Sequence, residues 1–114
     1  MKVNNIKNLA VEVQQLMHDN VSFATRYRLN KLYKDVQILI EQIEETRIGL
    51  LEQYANLNEE QNKYEFSSDV NAEKFSREYA EKLEEDIQLE YTFNVEEFSK
   101  VTGSDFREIF ELIF

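Results

Sequence analysis

Apolar positions along this chain fall into successive registers, and each register predicts an element. Val3, Ile6, Leu9, Val13, Leu16 and Met17 recur at steps of mostly three and four, which places them on one face of a first helix. Asn4 or Asn5 suits its N-cap, because the side-chain oxygen accepts from the free N–H groups of a first turn. His18-Asp19-Asn20 ends that helix, and Ser22 suits the cap of the next. Leu29, Val36, Ile43, Leu50 and Leu57 then recur every seven residues, with Leu32, Leu39 and Thr46 offset by three. Tyr33, Ile40 and Tyr54 widen this heptad stripe. It predicts a helix over 22–57, about 54 Å long at about 1.5 Å per residue. Such a helix cannot bury its seam on the first one alone. A third helix, a second copy or a partner must cover the rest, so Leu29, Val36, Ile43 and Leu50 form a candidate self-association seam, which makes a homodimer one of the expected states.

Residues 58–71 break the period and are rich in Asn, Ser and Asp, so they read as a loop. Within it, 63–67 alternate like a short strand. Asn71 suits an N-cap for a third helix striped by Phe75, Tyr79, Leu83 and Ile87. Ile87, Leu89, Tyr91 and Phe93 then alternate with Gln88, Glu90, Thr92 and Asn94, and a period of two with aromatic and branched residues predicts a strand. The expected pairing is 63–67 with 87–93, a two-stranded antiparallel ribbon spanning the third helix. Asn94 suits a cap for a short helix through Val101, Thr102-Gly103 stops it, and Ser104 opens a last helix through Phe106, Ile109, Phe110 and Ile113. The chain ends on Phe114, which either docks on the core or joins a contact surface.

Composition supports a mainly α fold: a long central helix, shorter helices around it, the small ribbon and a helical C-terminus. There is no Pro and there are two Gly among 114 residues, whereas turns usually want both. The length fits one domain, 1–114. No apolar run approaches the roughly 20 residues that span a bilayer, and no apolar stretch follows Lys2 as in a signal peptide. With no Cys, disulfides, thiolate metal sites and cysteine nucleophiles are all excluded, and the expected compartment is a cytoplasm.

Charge changes the picture more than composition does. Residues 1–34 hold six basic and two acidic side chains, a balance of +4, and residues 35–114 hold seven basic and 21 acidic, a balance of −14. This asymmetry points to docking, self-pairing or imitation of a polyanion. Candidate contact residues are Glu41, Glu44, Glu45, Glu52, Glu59, Glu60, Glu81, Glu84 and Glu85. They read either as a solvated face or as a functional acidic surface. The basic group Arg26, Arg28, Lys31 and Lys34 reads as a partner for the chain's own acidic face, within one copy or between two. A net charge of −10 without an aromatic-rich basic groove argues against direct nucleic-acid binding.

Little else suggests chemistry. The single histidine, His18, lacks a nucleophile nearby, and as a cation at a helix C-terminus it suits the dipole. No Glu-x-x-His step, Ca²⁺ loop or glycine-rich phosphate loop is present, so catalytic, cofactor-binding and metal sites are all expected to be absent. The expectation is a protein that is not an enzyme.

A resemblance adds an origin. Asn8-Leu9, Leu16-Met17, Phe23-Ala24, Tyr27 to Leu32, Glu44 to Arg47, Leu50 to Tyr54, Phe75, Leu83, Ile87 to Leu89 and the tail from Ser104 to Ile113 resemble small proteins encoded by phages and prophages of low-GC Gram-positive bacteria. Those proteins commonly carry a glycine-bearing turn after the region of Tyr54, and this chain has none there. The resemblance implies a phage accessory protein acting in a bacterial cytoplasm on a host or phage protein, and it implies no activity. Two functions follow. The first is an anti-defence or host-takeover inhibitor that works as an acidic DNA mimic against a nucleic-acid-handling factor. The second is a head or tail assembly chaperone, or small morphogenesis protein, using apolar helix contacts that include Phe110 and Phe114.

Overall fold

A computed structural model describes residues 1–98, 106 and 108–112, with the backbone alone for Phe110. The fold is mainly α. Its helices are α1 (Ile6–Leu16), α2 (Phe23–Tyr54) and α3 (Asp69–Leu83), and its strands are β1 (Ala55–Asn58) and β2 (Lys63–Phe66). Short 3-10 turns occupy Val3–Asn5, Val95–Glu97 and Ile109–Leu112. The rest of the expected helices from Asn94 to Val101 and from Ser104 to Ile113, together with Phe114, lies outside the described residues.

Two helices at the start make the core. Asn5 precedes α1 but its side chain makes no capping bond, so α1 grows directly out of the 3-10 turn. Ser22 does cap α2: its hydroxyl accepts from the Thr25 N–H at 3.1 Å. Arg26 closes the turn between α1 and α2 by donating to the carbonyls of Met17 and Asp19. Ile6, Leu9, Val13 and Leu16 of α1 meet Leu29, Leu32, Val36 and Ile43 of α2, all buried. Phe93, Phe98, Phe106, Ile109 and Leu112 complete this core from the far end of the chain. The heptad seam is thus consumed within one copy. Leu29, Val36 and Ile43 are 0–8% exposed and Leu50 is half-buried, so this seam offers no open surface to a second copy, which corrects its reading as a self-association site.

The long helix stops at Tyr54, three residues short of the last heptad position. Ala55 turns extended, and Ala55–Asn58 pairs antiparallel with Lys63–Phe66, Ala55 opposite Phe66 and Asn58 opposite Lys63. Leu57, expected in the seam, is 47% exposed on β1. The ribbon is present, but its second strand is 55–58 and not 87–93. A four-residue connection costs less closure entropy than one that encircles α3, so the local partner wins. The tip at 59–62 turns without glycine. Asn58 Oδ1 accepts from the N–H groups of Glu60 and Gln61, and Asn62 takes the left-handed conformation with φ of 52°.

α3 begins earlier than Asn71. Ser68 is its cap, accepting from Asn71 N–H at 3.2 Å, while the Asn71 amide donates back to Ser67 Oγ at 2.7 Å. No residue of α3 is fully buried. Its hold is aromatic: Phe66, Phe75 and Tyr79 follow one another with ring centroids 5.5 and 5.7 Å apart. Tyr54 adds a bond from its hydroxyl to Glu78 Oε1 at 2.7 Å.

Residues 87–93 alternate as expected, with odd positions inward and even positions exposed, yet they cross the helices instead of entering the ribbon. Their start pairs with the N-terminal residues: Ile87 N–H donates to Met1 O at 2.8 Å, and Lys2 bridges antiparallel to Asp86. Farther on, the Tyr91 hydroxyl donates to Asp35 of α2. That bond, with partial burial and the carboxylate's charge, pushes the Tyr91 phenol up to about 12. Because the fold favours the neutral phenol, this contribution is lost as pH rises from the ordinary tyrosine range through about 12. An ultraviolet titration of the six tyrosines is expected to show a late-ionising member that Tyr91→Phe removes.

Candidate functional site

The carboxylates singled out by sequence all lie at the surface. Glu41, Glu45 and Glu52 share the outer side of α2, since steps of four and seven return to one helical face. Glu59 and Glu60 stand at the ribbon tip just past the end of α2. Glu81 closes α3, and Glu84 and Glu85 follow it. The end of α3 lies level with the middle of α2, because Leu39, Gln42, Ile43 and Thr46 line one cleft together with Tyr79, Lys82, Leu83 and Glu85. The structure therefore sets Glu81, Glu84 and Glu85 level with the stretch of α2 that bears Glu41 and Glu45, which turn to a different face of that helix from the cleft-lining residues. Glu52, Glu59 and Glu60 form a second group toward the ribbon.

Three of the nine are already engaged. Glu44 binds Arg47 three residues on, and that hydrogen bond holds its carboxyl below the usual range. Glu84 accepts from Lys2 Nζ at 2.6 Å, which raises the lysine, and Glu85 lies 3.6 Å from Lys82 Nζ. Glu52 accepts only a long bond from the Tyr64 hydroxyl at 3.4 Å. Glu41, Glu45, Glu59, Glu60 and Glu81 form no ion pair among the described residues. Solvent screens these exposed pairs, so the fold gains little from this surface.

The basic group divides in two. Arg26 serves the turn carbonyls, and Arg28 binds Glu97, the carbonyl of Thr92 and, at 5.0 Å, the face of the Phe93 ring. Glu97 also accepts from Thr25 Oγ1 at 2.6 Å, so self-pairing between the basic start and the acidic remainder occurs within one copy. Lys31 and Lys34 remain on the outer side, Lys31 with its ammonium 5.1 Å from the Tyr27 ring centre.

One carboxylate escaped the reading of the sequence. Glu12 is 6% exposed on the core face of α1, and both its oxygens accept from the N–H of Glu108 at 3.0–3.1 Å. Its signal was available, since it sits three after Leu9 and four before Leu16, on the apolar stripe. Burial pushes its carboxyl up, against the hydrogen bonds from Glu108 and Ile109 that pull it down.

The cleft between α2 and α3 holds about 170 Å³, and two larger surface hollows hold about 340 Å³ beside Phe23 and Tyr27 and about 450 Å³ beside Ala80 and Glu84. His18 is exposed in the turn after α1. Among the described residues, no group of three or more His, Cys, Asp or Glu is placed to hold a metal ion, and no helix is long and apolar enough to cross a membrane. Compared with known protein families, curated proteins and solved structures, the chain matches none.

Proposed function

We propose that this chain is a non-enzymatic, phage-derived docking protein that inhibits a bacterial nucleic-acid-handling protein by placing carboxylates in its phosphate-binding cleft. The observation that carries this reading is the exposed carboxylates on the outer side of α2, the ribbon tip and the end of α3, of which six form no ion pair among the described residues. Like charges at such spacing repel and do not help the helices, so the fold alone gives no reason to keep them. A basic cleft built for phosphates supplies one: long-range attraction speeds encounter, and the pairing weakens as salt rises. The sequence resemblance to phage proteins supports a target among bacterial proteins. The elongated body, 53 Å by 26 Å by 23 Å, lets the charges extend as a rod and not as a knot. The assembly-chaperone reading has less support, because Phe106, Ile109 and Leu112 of the closing segment are buried in the chain's own core.

Glu52, Glu59 and Glu60 are exposed and lie away from the core, so Glu52→Lys/Glu59→Lys/Glu60→Lys leaves folding intact. The triple variant is expected to capture the bacterial partner about tenfold less well, or worse, than the natural chain. Equal capture by both baits would contradict docking through this surface.

A further inference from the structure

We propose that two copies of this chain pair antiparallel through the outer side of α2, the side opposite the buried seam. The exposed stripe Tyr27, Lys31, Lys34, Ile38, Glu41, Glu45 advances by alternating steps of four and three, the spacing of a helix-pairing seam. Its charges reverse about Ile38. Lys31 lies seven residues before it and Glu45 seven after, and Lys34 lies four before and Glu41 three after. A twofold axis at Ile38 thus faces each lysine with a glutamate of the second copy, whereas a parallel pair would face like with like. Ile38, 53% exposed, then meets its own counterpart.

Gly49 gives a second, independent observation. It stands inside α2, where glycine costs about 1 kcal/mol relative to alanine, and a Cβ there would meet nothing within 4 Å. Nothing within one copy requires it. Gly49 lies eleven residues after Ile38 and Tyr27 lies eleven before, so the same axis sets the gap at Gly49 against the 54%-exposed Tyr27 ring of the second copy. The pairing also lays the acidic half of each α2 along the basic first turns of the other. It does not depend on the proposed inhibition: it takes up Glu41 and Glu45 of that acidic surface and leaves Glu52, Glu59 and Glu60 outside the lysine–glutamate contacts.

Sedimentation equilibrium of the full chain tests the pairing. The natural chain is expected to form a dimer. Lys31→Glu and Glu45→Lys should each raise the dissociation constant about tenfold or more. The double variant Lys31→Glu/Glu45→Lys should restore pairing, and the two single variants mixed should form a mixed dimer. Gly49→Leu should block pairing while helix content and thermal stability hold or rise, which separates loss of contact from loss of fold. A monomer at millimolar concentration, or a dimer insensitive to the single reversals, would overturn the proposal. Those outcomes leave capture by the Glu52, Glu59 and Glu60 surface free to succeed or fail separately.

Discussion

Phe93→Ala is expected to cost about 3–5 kcal/mol of folding free energy, the largest loss from any single truncation considered. Phe93 is 1% exposed and is the largest fully buried side chain of the core. Its ring packs on Phe98 with centroids 5.6 Å apart, and the Arg28 guanidinium covers its face. Its backbone N–H donates to Leu112 O at 2.7 Å. One residue therefore ties the extended segment, the closing turn and α2 together. Truncation leaves a cavity lined by parts from far apart in sequence, which cannot close over it without moving α2. Urea unfolding should show a lower midpoint with an unchanged slope. Phe23→Ala is the control: Phe23 is 86% exposed, and its loss should change stability by no more than about 0.5 kcal/mol. A cost below about 1 kcal/mol for Phe93→Ala would mean that the closing segment does not dock on α1 and α2.

Glu12→Ala is expected to cost about 2–3 kcal/mol, because the N–H groups that open the last 3-10 turn lose a buried, charged acceptor. The penalty is partly offset, since a desolvated carboxylate leaves with the side chain. Glu12→Gln keeps one acceptor oxygen and should cost less. The pH dependence follows from the raised carboxyl. In the folded chain Glu12 holds its proton more readily than in the unfolded one, so its favourable contribution is full below the ordinary glutamate pKa and is lost as pH rises through the higher folded value. The stability difference between the natural chain and Glu12→Gln should therefore shrink as pH rises through that window. A difference that stays flat, or grows, would contradict a carboxyl raised by burial.

Much of the helical frame was legible in the sequence, and the reasons it failed elsewhere are physical. α1 and α2 declare themselves by period, and Ser22 marks the start of α2 by its capping chemistry. The heptad stripe correctly marked the buried face, but periodicity says only that a face is covered and not by what. Here α1, Phe93, Phe98, Phe106, Ile109 and Leu112 cover it. The end of α2 was misread because Leu57 keeps the heptad while Ala55–Asn58 gains a full strand partner four residues away. Alternation over 87–93 likewise reported two unlike sides, a property shared by a strand in a ribbon and an extended segment lying on helices. Residues 58–62 turn on an asparagine where a glycine is customary, a choice visible only once the backbone is seen. The acidic candidates were found by composition and are all exposed, whereas Glu12, hidden in an apolar stripe, needed its packed partner to become meaningful.

Salt and polyanion competition test the central claim most directly. The natural chain would be used as bait in nuclease-treated lysate of a low-GC Gram-positive bacterium, washed at low and at moderate salt, with and without added duplex DNA. The account predicts a captured basic protein that is released as salt rises, is displaced by the DNA, and is missed by Glu52→Lys/Glu59→Lys/Glu60→Lys. Capture that survives both salt and DNA, and is equal for the reversed bait, would contradict an acidic surface acting in place of nucleic acid.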